Sequence, residues 1–163
     1  MNYGQIRPLD IANGPGVRVS LFVSGCTRRC EGCFNPETWD FMYGEKFTWE
    51  TVHEIEEMLK NPNVKGLSIL GGDPLEPANV DWVETLCAYI KHNMPEKTIW
   101  VWTGGLWEDV CELPIMKHVD ILVDGPFVSE LKDLRLKYRG SSNQRVIDVK
   151  ESLRTGEVVL WEK

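Results

Sequence analysis

Four apolar runs, each closed by glycine, constrain the fold of this 163-residue chain most tightly. Residues 17–23 run into Gly25, 66–70 into Gly71-Gly72, 98–103 into Gly104-Gly105, and 119–123 into Asp124-Gly125-Pro126. β-Branched and apolar residues dominate each run, which marks strands. Helical repeats lie between them. Thr48 reads as an N-cap, followed by Trp49, Val52, Ile55, Met58 and Leu59 at helical spacing and a stop at Asn61-Pro62. Asn79 reads as the cap of a second helix with Val80, Val83, Leu86, Cys87 and Ile90 on one face, closed by Met94-Pro95. A short helix is expected around 107–111. Strand–helix–strand order with right-handed crossovers assembles into a mostly parallel sheet, an α/β fold with outer helices. A full eight-unit barrel usually takes at least ~200 residues, so this chain builds only part of one. The tail reads as two strands, 145–149 and 157–161, paired as a hairpin across Thr155-Gly156. No repeat, low-complexity tract or linker divides the sequence, and one domain over 1–163 is expected.

Cys26, Cys30 and Cys33 follow directly on the first strand, with the spacing Cys-x3-Cys-x2-Cys. Parallel α/β folds keep their sites at the C-terminal ends of strands. A structural zinc site closes with four ligands and a disulfide uses two. A [4Fe-4S] cube held by three cysteines leaves one iron free for a small molecule. On the residues alone, a zinc knuckle that borrows His53 or His118 stays open as an alternative. A two-cluster ferredoxin needs more cysteines than the sequence supplies. Cys87 and Cys111 stand apart and read as small buried hydrophobes.

Gly71-Gly72-Asp73-Pro74 ends the second strand. Glycine lets a ligand approach the backbone, and a strand's free edge offers amide and carbonyl groups. A cation such as an ammonium suits those carbonyls and Asp73. The plain alternative is a tight turn with Asp73 as its polar cap. Asn13-Gly14-Pro15-Gly16 lacks the third glycine of a dinucleotide fingerprint.

The net charge of −7, from 25 acidic and 18 basic residues, argues against a general electrostatic grip on nucleic acid or anionic lipid. No apolar run approaches the roughly 20 residues that span a bilayer, and the first residues lack the apolar stretch of a signal peptide. An odd count of five cysteines fits a reducing compartment. A cytoplasmic location, without membrane or nucleic-acid partners, is expected.

Taken together these motifs resemble the radical S-adenosylmethionine enzymes. More narrowly, they resemble the activating proteins of anaerobic (class III) ribonucleoside-triphosphate reductases. The resemblance runs through Asn13-Gly14-Pro15-Gly16, residues 21–26, Cys30-Glu31-Gly32-Cys33-Phe34-Asn35, Thr38-Trp39 and residues 71–75. It continues through Trp100-Val101-Trp102-Thr103-Gly104, Val123-Asp124-Gly125 and Arg139-Gly140-Ser141-Ser142-Asn143-Gln144. Gly32 stands where most of the superfamily has an aromatic, and Phe34 follows the third cysteine instead, the habit of this activase family. Relatives tend to carry an aromatic after Trp-Thr-Gly, where this chain has Gly105.

The resemblance implies a partial, open radical-SAM βα barrel and an oxidoreductase. Cys26, Cys30 and Cys33 would hold a [4Fe-4S] cluster. Gly32, Cys33, Phe34, Gly71, Gly72 and Asp73 would lie against S-adenosylmethionine. Reductive cleavage of that cofactor would give a 5′-deoxyadenosyl radical, which takes a hydrogen atom from a glycine of the reductase large subunit. An external flavodoxin-like donor would supply the electron. The cofactors carry this chemistry, so no catalytic acid, base or nucleophile is expected from the chain. The seven tryptophans read partly as a docking surface, with Trp100 and Trp102 as core, and Arg139 and Arg145 as contacts to partner or cofactor. Another small radical enzyme and a non-catalytic metal module are the competing readings.

Overall fold

A computed structural model describes residues 1–162. Seven strands form one mixed sheet: β1 (Asn2–Asp10), β2 (Val17–Val23), β3 (Glu45–Lys46), β4 (Val64–Gly71), β5 (Thr98–Trp102), β6 (Ile121–Asp124) and β7 (Arg145–Asp148). Their spatial order is β3-β1-β2-β4-β5-β6-β7. The central four, β2, β4, β5 and β6, are parallel, as the glycine-closed runs predict. β1 adds to β2, β3 to β1 and β7 to β6, all antiparallel.

Helix α1 (Trp49–Leu59) opens where the Thr48 amide donates to Thr51 Oγ1 at 3.1 Å, a capping interaction, and it buries Val52, Ile55 and Leu59. Helix α2 (Val80–Asn93) buries Val83, Leu86, Cys87 and Ile90. Both stripes meet the sheet face that carries Val19, Leu21, Leu67, Ile69, Ile99 and Val101, and together they form the main core. Helix α3 (Trp107–Val110) is one turn. Helix α4 (Val149–Thr155) starts at Asp148, whose side chain accepts from the Glu151 amide, and ends at Gly156 with φ +79°.

The opposite sheet face is also covered. Arg18 is fully buried there and donates to Ser68 Oγ at 2.8 Å, Thr98 Oγ1 at 2.9 Å and the carbonyls of Pro15, Leu67 and Thr98. Gly14 has φ +107°, and a Cβ on it would stand 2.8 Å from Arg18 Cδ, so the turn between β1 and β2 can close only on glycine. Trp100 packs against Tyr138 and Trp161, with ring centroids 5.2 and 5.0 Å away.

Three sequence expectations change. Asn2–Asp10 is a strand that periodicity did not reveal. Residues 149–155 form α4, so no hairpin crosses Thr155-Gly156; the chain returns to β7 only through an isolated bridge between Ile147 and Leu160. Asn79 precedes α2 without capping it by its side chain, which turns away toward β2. Among the described residues no helix is long and apolar enough to cross a membrane.

Candidate metal centre and cofactor cavity

The parallel strands all deliver their C-terminal ends to one cavity of about 530 Å³. Small-molecule sites usually fall between roughly 300 and 1,000 Å³. Cys26, Cys30 and Cys33 line it from the segment after β2, Gly71, Gly72 and Asp73 from the end of β4, and Thr103 and Gly104 from the end of β5. All three cysteines are free thiols and half-buried.

The cysteine segment is shaped by its backbone. Gly25 has φ +107°, and a Cβ there would stand 2.2 Å from the Phe41 ring. The Gly25 amide donates to the Thr38 carbonyl at 2.7 Å, and the Cys26 amide to that of Trp39 at 3.2 Å. Arg29 adopts φ +49°, a left-handed conformation that costs a non-glycine residue about 1–2 kcal/mol. A turn closes where the Cys33 amide donates to the Cys30 carbonyl at 3.1 Å.

A second segment, 73–79, grips this loop from β4. Glu76 Oε1 accepts from both the amide and the hydroxyl of Thr27, each at 2.8 Å. Asn79 Nδ2 donates to the carbonyls of Ser24 and Asp73, each at 3.0 Å. Asp73 is buried and heavily engaged. It accepts from Thr103 Oγ1 at 2.9 Å, the Gly104 amide at 3.0 Å and the Leu75 amide at 2.9 Å. Arg28 Nε adds a longer contact at 3.4 Å. Burial, with the Asp73 and Glu76 carboxylates nearby, pushes the Cys26 thiol up; metal coordination is what turns such a thiol into a thiolate.

The paired glycines have a packing role of their own. A Cβ on Gly71 would stand 2.6 Å from the Val23 backbone, and one on Gly72 would stand 2.6 Å from the Gly25 carbonyl oxygen. The end of β4 thus lies directly against the start of the cysteine loop, and the Gly72 amide donates to the Val23 carbonyl at 2.7 Å.

Phe34 is 57% exposed, lines the cavity, and sits 5.1 Å from the Phe127 ring. Gly32 lies beside the cavity rather than on it, facing Phe127. The segment 126–144 closes over this side. Gln144 Oε1 accepts from the amides of Gly140 and Ser141, and its Nε2 donates to the Gly125 carbonyl at 3.0 Å. Arg139 borders the cavity and donates to the Gln144 carbonyl. Arg145 does not border it. It donates to Glu108 and to Asp124, which is fully buried, and so joins β7 to β6 and α3. Gly105, without a side chain, faces Arg28.

Sequence reading missed Glu76, the inward turn of the Asn79 side chain, the Thr103 hydroxyl and Phe127. Only the three-residue spacing of Asp73, Glu76 and Asn79 hinted at the first two. Neither His53 nor His118 reaches the cysteines. His53 is exposed on α1 beside Glu56, and His118 precedes β6, at the far end of the strands. Among the described residues no three His, Cys, Asp or Glu side chains gather around one ion position. A cube makes a different demand, one thiolate per iron around a shared cavity. Three half-buried thiols on one cavity fit that donor set.

Residues 12–147 match the family model of a 4Fe-4S single cluster domain. The anaerobic ribonucleoside-triphosphate reductase-activating protein of Enterobacteria phage T4 is 45% identical over 146 residues, covering 90% of this chain and 93% of that protein. The proteins of that name from Vibrio cholerae and Escherichia coli K12 are 43% and 45% identical, covering 88% and 90% of this chain and 96% and 97% of theirs. With a fold that leads three cysteines and a paired-glycine strand end into one cavity, the chain belongs to the family of anaerobic ribonucleoside-triphosphate reductase-activating proteins.

Proposed function

We propose that this protein activates an anaerobic ribonucleotide reductase as a radical S-adenosylmethionine enzyme, its sheet and outer helices forming a partial, open βα barrel. The carrying observation is the meeting of Cys26, Cys30 and Cys33 with the Gly71–Gly72 strand end on one cavity. Cys26, Cys30 and Cys33 would hold a [4Fe-4S] cluster with one iron left open. When bound, cluster and S-adenosylmethionine supply one-electron cleavage of a carbon–sulfur bond and a 5′-deoxyadenosyl radical that takes a hydrogen atom from a glycine of the reductase large subunit, the electron coming from an external flavodoxin-like donor.

The chain's own residues position and shield. Backbone groups at Gly71 and Gly72 other than the Gly72 amide, which is taken by the Val23 carbonyl, would receive the methionine end. Asp73 borders that end and holds its walls together, because its oxygens are engaged by Thr103, Gly104 and Leu75. Cys33 and Phe34 would run along one side, with Gly32 just behind them against Phe127, and Phe34 and Phe127 would give that side an apolar wall beside a reactive centre. An open mouth suits a substrate that is a loop of a large protein.

Anaerobic reconstitution with iron and sulfide tests this reading. The expected product is a brown protein that, once reduced, releases 5′-deoxyadenosine from S-adenosylmethionine and leaves a glycyl-radical signal on the reductase in electron paramagnetic resonance. Cys30→Ala should abolish both. A colourless zinc protein, or undiminished cleavage by Cys30→Ala, would sink it.

A further inference from the structure

Arg28 stands midway between Cys26 and Cys30, yet its side chain turns back across the cavity wall. Its Nε donates to Asp73 Oδ2 at 3.4 Å, and more than half of the side chain is covered. The stem lies over two successive glycines. A Cβ on Gly104 would stand 2.2 Å from Arg28 Cδ and 2.6 Å from Nε, and a Cβ on Gly105 would stand 3.3 Å from Nη2. The slot exists because neither residue has a side chain. The carboxylate that Arg28 reaches is the one that also accepts from Thr103 and Gly104 at the end of β5. One side chain therefore ties the middle of the Cys26–Cys30 segment to the ends of β4 and β5.

We infer that Arg28 is a positioning residue: seated in the Gly104–Gly105 slot and held by Asp73, it fixes where the Cys26–Cys30 segment stands relative to the Gly71–Gly72 edge. This rests on the cluster and S-adenosylmethionine reading above. The segment needs such a tie. Residues 27–29 are exposed, and Arg29 is left-handed, a conformation that persists only when neighbours over-determine it. Thr27 is fixed through Glu76, and Arg28 is the loop side chain that reaches the end of β5 at Gly104 and Gly105. A long, part-exposed ion pair contributes little to global stability. The tie acts on placement, and misplacing a reacting group by about 1 Å can cost on the order of a hundredfold.

The test uses full-length reconstituted protein and three variants: Arg28→Gln, Gly104→Ala and the double. Gly104→Ala evicts the arginine without altering it, since the atoms its methyl meets belong to the Arg28 stem. Iron and sulfide content is measured first, then S-adenosylmethionine is titrated against the electron paramagnetic resonance signal of the reduced cluster. Each single variant should keep its cluster, melt within about 3 °C of the parent, and bind S-adenosylmethionine about tenfold more weakly, which corresponds to about 1.4 kcal/mol of binding free energy. The double should be no worse than the weaker single, because both routes remove the same contact. Parent-like affinity in the singles overturns the inference. So do effects that multiply in the double, since Gly104→Ala would then act on the ligand itself. A parent protein that holds no cluster, or whose signal ignores S-adenosylmethionine, brings down the functional reading and this one with it. That outcome is visible before any variant is made.

Discussion

Removing the Asp73 carboxylate should destabilise the chain even without any metal. Asp73 is 3% exposed and joins three parts of the site: the turn after β4 through Leu75, the end of β5 through Thr103 and Gly104, and the cysteine loop through Arg28. Hydrogen bonds to a charged acceptor contribute about 1.5–3 kcal/mol each, but they are not additive. Taking away one side of a buried polar constellation typically costs about 3–5 kcal/mol. The Arg28 contact is long and part-exposed, which places Asp73→Ala near the lower end, about 3 kcal/mol. For a domain of this size each kcal/mol moves Tm by roughly 2–4 °C, so a fall of roughly 6–12 °C is expected.

Circular dichroism melting of the metal-free chain measures it directly. Asp73→Asn keeps the volume and one acceptor oxygen and should lose about half as much. Thr103→Val removes the hydroxyl that bonds Asp73 and also accepts from the Gly105 amide, and in combination with Asp73→Ala the losses should fall short of their sum by about 0.5–3 kcal/mol. An Asp73→Ala protein that melts within about 2 °C of the parent would refute the reasoning, because the carboxylate would then be a surface cap and not a joint.

Asp120 gives a pH prediction. Burial alone would raise its pKa, but bonds from Lys91, the Ile99 amide and Lys150 outweigh that and hold the carboxylate below its ordinary value of 3.8. A depressed folded pKa means stability that is complete above the unfolded value and is lost as pH falls through the folded one. Asp120→Asn should therefore melt lower than the parent at pH 7, with the gap narrowing below about pH 4; a gap constant with pH would contradict this. Arg145→Gln leaves Asp124, fully buried, without its cation. About 3–5 kcal/mol of stability should be lost in denaturant unfolding. Arg145→Lys should recover only part, because lysine lacks the fork that reaches both Asp124 and Glu108.

The four central strands were legible because both of their faces are covered, which writes them as continuous apolar runs between glycines. β1 was not. It pairs mostly on one side, carries Gly4 and Pro8, shifts register twice and exposes most of its residues, so no alternation survives in its sequence. α4 was missed because seven residues cannot show a full apolar stripe, although Asp148 three before Glu151 and Gly156 beyond the end are its caps. The candidate ligands were visible because three cysteines in eight residues announce themselves locally. What holds them was not. Glu76 meets Thr27, Asn79 meets Ser24, and Phe127 meets Phe34 across separations that only the sheet creates.

Those long-range contacts have a common origin in strand pairing. β2 and β4 are parallel neighbours, in register to their last residues, with Val23 opposite Gly71. The chain that leaves β4 therefore emerges beside the chain that leaves β2, and Asp73, Glu76 and Asn79 fall at three-residue steps along residues 24–28. The absence of side chains at Gly71 and Gly72 is what lets the two backbones come this close. The loop that carries the cysteines is thus positioned by the same ladder that builds the core, with Gly25 and Cys26 also bonded to Thr38 and Trp39. In small zinc domains the metal's binding energy is the folding energy. Here a 24-residue apolar core forms between helices and sheet without any of the three cysteines, and the strand ladder forms from backbone groups alone. Metal occupancy and folding should consequently be separable in this chain, which is what the proposed cofactor site, with its reactive, exchangeable position, would require.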